Sequence, residues 1–230
     1  MMPTNSETCL LLEIGSIDYQ KALEIQRTLH RRVVEGSLPN LIMILQHPHV
    51  FTQGRRGKPE HILASCNELR SLGIKVHYVD RGGEATYHGP GQIVCYPIMN
   101  IRRWGVRKYV SILETIIIDS LSVYGISGLV RCRTAGVWVG DAKIAAVGLK
   151  ISGGVSMHGF ALNVSPDLSY FGRIVPCGSP EDRVTSIEVE LKCSSLRPVN
   201  DLDVQAVLIG TLRDELGLDL EQKTLVELGL

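Results

Sequence analysis

Two short, mostly apolar runs, Leu10–Ile14 and Leu41–Leu45, flank a helical stripe, and this alternation constrains the fold more than any other feature. Runs of that length suit buried strands, whereas a buried helix needs roughly ten or more residues. Over Tyr19–Val34 the residues Ala22, Leu23, Ile25, Gln26, Leu29 and Val33 recur at helical spacing, and Asp18 stands where an N-cap belongs. A strand and an amphipathic helix in succession must bury their apolar sides on each other, so the pattern predicts helices layered on a sheet.

The alternation continues along the chain. A loop is expected over Gln46–Gly57 and a short helical stretch over Ile62–Leu72, closed by Gly73. Ile74–Val79 leads into a glycine-rich segment, and Gln92–Pro97 returns as a strand. Val110, Leu113, Ile117, Leu121 and Tyr124 form a helical stripe ended by Gly125. Gly136–Val139 and Lys143–Ile151 flank Gly140-Asp141, a tight-turn signal, and Val155–Val164 makes a third strand of that meander. Leu202–Leu216 is amphipathic through Val204, Val207, Leu208 and Leu212. The expected class is α/β (α+β), a mixed β-sheet flanked by helices. The expected organisation is one catalytic-size domain over 1–230 with a C-terminal helical piece over about 199–230.

Bulk properties exclude several functions. Basic and acidic residues number 24 each among 230, so the net charge is zero and gives no reason to expect nucleic acid or a membrane surface as partner. The pairs Arg55-Arg56 and Arg102-Arg103 are the places for a local basic patch; a solvated loop is the alternative. No apolar run approaches the roughly 18 residues of a membrane span, and the N-terminus lacks the build of a secretory signal. A soluble, cytoplasmic protein is expected. The six cysteines include no C-x-x-C pair, which favours reduced thiols over a disulfide framework or zinc site, and no metal is expected.

Three segments could carry chemistry. Arg81-Gly82-Gly83-Glu84-Ala85-Thr86-Tyr87-His88-Gly89-Pro90-Gly91-Gln92 follows a strand directly. Its glycines allow close backbone approach to a ligand, yet it matches neither the dinucleotide fingerprint nor the P-loop; a glycine-rich turn with a structural histidine remains the alternative. Lys143 opens an apolar strand, Lys143-Ile144-Ala145-Ala146-Val147-Gly148, either as an edge residue reaching solvent or as a partly desolvated amine able to exchange protons. Its small neighbours leave room for a substrate, as do Gly159 and Ala161 beside Ser156 and His158 on the next strand. Pro176-Cys177-Gly178 brackets a cysteine in a loop, which presents its sulfur as a nucleophile or leaves it a bystander. Cys9, Cys66, Cys95, Cys132 and Cys193 read as inert small hydrophobes.

At these residues the chain resembles the lipoyl(octanoyl) transferases of lipoate biosynthesis. The resemblance is carried by R-G-G-E-A-T-Y-H-G-P-G-Q over residues 81–92 and by Leu45-Gln46-His47-Pro48 with Thr52 and Gly54-Arg55-Arg56. Gly136-Val137-Trp138-Val139 with Lys143, His158-Gly159 with Ala161-Leu162-Asn163, Pro176-Cys177-Gly178 and Val184-Thr185-Ser186 follow in the family's order. It covers roughly residues 10–190. It implies a biotin/lipoate protein ligase-like catalytic domain with a ligand tunnel. It further implies transfer of octanoyl from octanoyl-acyl carrier protein to a lysine of lipoyl domains, those of 2-oxoacid dehydrogenases and of the glycine cleavage H protein. Position by position, Cys177 becomes the acyl-thioester nucleophile and Lys143 its acid–base partner. Arg81, Gly82, Gly83, Glu84, Ala85, Thr86, Tyr87 and His88 line the ligand site, with Ala146, Val147, Gly148, Gly159, Phe160 and Ala161. No cofactor is implied, a monomer is expected, and the compartment is the cytoplasm, or an organelle matrix in a eukaryote. Phe160 stands where the family commonly has a smaller aliphatic; it either shortens the acyl tunnel or points into the core. The rivals are an ATP-dependent lipoate or biotin protein ligase, a lipoyl amidotransferase and a non-enzymatic binding module.

Overall fold

The computed structural model describes residues 7–132, 134–175, 183–193 and 199–230. Its strands are β1 (Glu7–Ser16), β2 (Asn40–Gln46), β3 (Val50–Gln53), β4 (Lys75–Tyr78), β5 (Ala85–His88) and β6 (Gln92–Ile98), then β7 (Leu129–Arg131), β8 (Thr134–Val139), β9 (Ala142–Ser152), β10 (Val155–Asn163), β11 (Arg183–Val184) and β12 (Leu218–Gln222). The helices are α1 (Tyr19–Val34), α2 (Cys66–Ser71), α3 (Gly105–Ser122), α4 (Ile187–Cys193) and α5 (Asp201–Leu216). The main sheet runs β12-β1-β2-β6-β10-β9-β8-β7, with β11 added parallel to the start of β9. A three-stranded sheet, β4-β3-β5, stands beside it.

Strand alternation sorts the core onto the two faces of the main sheet. Leu10, Leu12, Leu41, Met43, Leu45, Val94 and Tyr96 pack under Ala22, Ile25, Leu29 and Val33 of α1. Cys9, Leu11, Ile42, Ile44, Ile93 and Cys95 face the other way, against Leu113, Ile116, Ile117 and Leu121 of α3 and Val204, Leu208, Leu212 and Leu216 of α5. The four α3 side chains are wholly buried, each contributing about 1.5–3 kcal/mol relative to exposure. The mixed sheet with helices on both faces is the expected class.

Local chemistry sets the element ends. The Asp18 carboxylate accepts from the amides of Gln20 and Lys21, which starts α1 at Tyr19 as its stripe predicts. The Gly140-Asp141 turn joins β8 to β9 with Gly140 at φ +56°, and β9 and β10 pair antiparallel. Three expectations need correction. The loop expected over Gln46–Gly57 contains β3, a wholly buried strand too short to show a period. The helix expected from Ile62 begins at Cys66, because Ser65 and Glu68 form a capping box there. After α5 the chain adds β12 parallel to β1, which no strand signal announced.

Candidate active site

A cavity of about 540 Å³ lies where the small sheet meets β9 and β10. Its floor consists of cross-strand pairs of small residues, Gly148 opposite Gly159 and Ala146 opposite Ala161. Missing side chains on adjacent strands leave this space while the backbones stay hydrogen-bonded. Val94 and Tyr96 of β6 extend the floor, and Val106 and Val110 of α3 close another side.

The glycine-rich segment forms an arch over the floor. Arg81, only 8% exposed, turns its guanidinium inward. Nη2 donates to the Thr52 carbonyl (3.0 Å), the Thr52 hydroxyl (2.8 Å) and the Glu84 carbonyl (2.9 Å), and Nη1 donates to the Gly82 carbonyl (2.9 Å). Amides of Gly54, Arg55 and Arg56 donate to carbonyls of Glu84, Arg81 and Gly83, and the Gly82 amide donates to Leu149 on β9. Arg56 pairs with Glu84 at 3.2 Å, so the Arg55-Arg56 pair stands at the cavity wall. Arg102 and Arg103 do not line it; they bind the Gly153 carbonyl and Glu7.

Buried histidines brace the arch. His47 donates from Nδ1 to the Ile17 carbonyl (2.8 Å) and accepts at Nε2 from the Tyr96 hydroxyl (2.9 Å). His88 donates to Gln92 Oε1 (2.7 Å), Gln92 Nε2 donates to Asn163 Oδ1 (2.9 Å), and Asn163 Nδ2 donates to the Thr185 carbonyl (2.9 Å). His158 adopts φ +59° within β10 and meets Asp80 at 3.1 Å through Nε2. Burial holds His47 and His158 down at about 4 and His88 at about 3, so all three are neutral imidazoles near neutral pH. Burial pulls the Asp80 carboxyl upward, but Lys150 and His158 more than offset this and leave it at about 2.

Lys143 lies at the other end of the cavity. It is 5% exposed, so it is not an edge lysine reaching into solvent. Its Nζ stands 4.8 Å from the centre of the Trp138 ring, its cross-strand partner. Gly136 makes room for it: at φ +142°, a Cβ there would stand 2.7 Å from Lys143 Cε and clash with the Ala145 carbonyl. Beside Lys143 the chain returns as β11, with Val184 paired to it and the Thr185 amide donating to its carbonyl (3.0 Å).

The cavity thus gathers Lys143, Arg81, Gly82, Gly83, Glu84, Ala85, Thr86, His88, Ala146, Val147, Gly148, Gly159, Phe160 and Ala161. Tyr87 is not among them. Its ring lies away from the cavity, where it stacks on Tyr170 (5.0 Å) and shares a hydrogen bond with His49 Nδ1 (2.8 Å). Phe160 is 2% exposed and packs in the α3-facing core, as the second reading of it has it, and it also contributes surface to the cavity lining. Cys177 lies outside the described residues, as does the side chain of Cys193. Cys9 and Cys95 are buried thiols pushed up by desolvation, Cys9 to about 12, whereas Cys66 and Cys132 are exposed rather than packed. The sequence reading missed Tyr19, Tyr96, Val106, Val110 and Thr134 as cavity residues. Val110 was visible only as part of a core-like stripe, and Tyr19 only as the start of a helix.

A two-sheet scaffold with an apolar cavity under a glycine-rich arch defines a lipoyl protein ligase A/B catalytic domain, and the profile of that family matches residues 18–213. An octanoyltransferase of Solibacter usitatus is 50% identical over 172 residues, 74% of this chain and 78% of the relative. One of Rubrobacter xylanophilus is 43% identical over 205 residues, 88% and 91% of the two chains. A lipoate protein ligase of T. acidophilum with bound lipoic acid superposes at a TM-score of 0.72 and 15% identity, over 95% of this chain and 89% of that one, a likeness of fold. The chain belongs to the lipoyl protein ligase A/B family, on its octanoyltransferase branch, and is an acyltransferase.

Proposed function

We propose that this chain transfers octanoyl from octanoyl-acyl carrier protein to a lysine of lipoyl domains, those of 2-oxoacid dehydrogenases and the glycine cleavage H protein, through a thioester on Cys177. One observation carries the reading: a buried amine, Lys143, opens onto an apolar cavity and pairs with Val184, in the segment that follows Cys177 in the chain. The described residues before and after Cys177 are tied down, the Val175 amide to the His61 carbonyl (2.8 Å) and Thr185 to Lys143.

In the cycle, Lys143 takes the thiol proton and the thiolate attacks the octanoyl thioester carbonyl. The tetrahedral adduct collapses with loss of the carrier thiolate, which regains a proton from the Lys143 ammonium. The acceptor lysine amine then attacks the acyl-enzyme, the Cys177 thiolate leaves, and Lys143 again handles the proton. Exchange of one thioester for another is nearly balanced and amide formation is downhill, so the cycle requires no nucleotide. The arch and the small-residue floor hold the octanoyl group, and the protein acts as a monomer. The compartment is the cytoplasm in a bacterium, like the sources of the relatives above, or an organelle matrix in a eukaryote.

Intact-mass analysis after incubation with octanoyl-acyl carrier protein tests this. A gain of one octanoyl group, lost in Cys177→Ala, is expected. An unmodified chain, or a Cys177→Ser variant that stays fully active with ATP, would replace this reading with the ATP-dependent ligase chemistry of fold relatives.

A further inference from the structure

We propose that Glu114 is a positioning residue for the reaction, a carboxylate held beside Lys143 to orient and stabilise that side chain when it carries the transferred proton. The proposal rests on the reading of Lys143 as the acid–base group.

Glu114 lies in the middle of α3, on the side turned to the sheet, between the wholly buried Leu113 and Ile117. Its Oε1 accepts from the Gly136 amide at 2.9 Å. Gly136 is the same residue whose missing Cβ leaves space for Lys143 Cε. The carboxylate and the lysine stem therefore meet at one glycine, Glu114 from the helix and Lys143 from β9. The arrangement explains why a half-buried carboxylate faces an apolar core: fixed by one backbone donor, it presents negative charge toward the start of β9, where Lys143 stands. A nucleophile's base is commonly oriented by a third group of opposite charge, and Glu114 supplies that group to Lys143 through space.

Among the described residues, the charges acting on Glu114 are few. Lys143 of β9 acts on it directly, and β8 offers only amides and uncharged side chains from Thr134 to Val139. On α5, which packs along α3, Asp203 acts on Tyr124 beyond the far end of α3 rather than on Glu114. Burial raises the Glu114 carboxyl above its usual range, while the Gly136 amide and Lys143 oppose that. The carboxylate is thus lost, on acidification, earlier than an exposed glutamate would be.

The test compares Glu114→Gln with Glu114→Asp by single-turnover octanoyl transfer across pH. Glutamine keeps the acceptor for the Gly136 amide and removes the charge, so the melting temperature should hold. Its kcat should fall about tenfold with KM unchanged, the rate effect of one unit of differential charge stabilisation. The two rates should converge as pH falls, because the wild-type carboxylate protonates there, and Glu114→Asp should recover part of the loss. A glutamine variant with the wild-type rate and pH profile overturns the proposal. So does one whose lower rate follows a lower melting temperature at every pH, which marks a purely structural bond. If Lys143→Ala keeps the wild-type rate, the parent reading fails, and Glu114 loses its role with it.

Discussion

The two ends of the cavity are built differently. The arch end is cross-tied many times over: Arg81 alone makes four hydrogen bonds, and three successive amides from Gly54 to Arg56 lace into its carbonyls. The Lys143 end is built mainly from strand pairing. The two residues of β11 pair with the start of β9, a register shift interrupts β8 there, and a single glycine makes the room. The contrast separates two tasks. A binding wall gains from rigidity, because ordering is completed before the ligand arrives. On the proposed cycle, Lys143 has to approach two different partners in turn from its strand-paired seam.

The largest effect on stability should therefore come from the arch. Arg81→Met removes four hydrogen bonds and leaves buried carbonyls of Thr52, Gly82 and Glu84 short of a donor. A loss of about 3 kcal/mol is expected, since charge-assisted bonds to buried acceptors are among the costly ones to break. Urea unfolding measures it; a midpoint unchanged within error would show that the arch is held by its backbone lacing alone.

Acid should attack the same end next. His47, His88 and His158 have folded-state pKa values of about 4, 3 and 4, below the ordinary value of 6.5. Between those limits the unfolded chain binds more protons, so stability rises with pH and is lost as pH falls from about 6.5 toward 4. Asp80, held at about 2, keeps its contribution through that window and gives it up only below the ordinary carboxylate range. A loss of a few kcal/mol is expected across the histidine window. His88→Gln should flatten the melting-temperature profile against pH; an equally steep profile in that variant would assign the sensitivity elsewhere.

The sequence made one end of the cavity more legible than the other. Arg81–His88 and the Ala146–Gly148 and Gly159–Ala161 stretches are contiguous, so a local motif finds them together, and all but Tyr87 line the cavity. Tyr87 escaped because a run of neighbours says nothing of which face of a strand each takes. Elements defined by local rules were read closely: α1 begins where Asp18 caps it, and the β8–β9 turn falls at Gly140-Asp141. Elements defined by a distant partner were not. β12 exists because β1 offers it an edge, and β3 because β4 and β5 flank it. Val106 and Val110 reach the cavity from a helix whose stripe reads as ordinary core, and no periodicity distinguishes a side chain facing a cavity from one facing another helix.

The smallest stability effect, and the sharpest test of the contrast, belongs to the seam. Thr185 receives at its carbonyl the last bond of the chain His88–Gln92–Asn163, and its amide donates to Lys143. One route from the arch to Lys143 therefore runs through the Thr185 backbone unit. Thr185→Pro deletes the amide donor together with the hydroxyl and leaves the carbonyl in place; relative to a variant that loses only the hydroxyl, its cost should be about 1 kcal/mol, that of one net hydrogen bond. The Thr185 hydroxyl also bonds Glu190, so Thr185→Val serves as the control that loses the hydroxyl and keeps the amide. If the seam positions Lys143, single-turnover transfer should fall in the proline variant by far more than in the valine control, while their urea midpoints differ little. Equal rates in the two variants would show that Lys143 is held by Trp138 and Gly136 without help from β11, and the seam would then be as rigid as the arch.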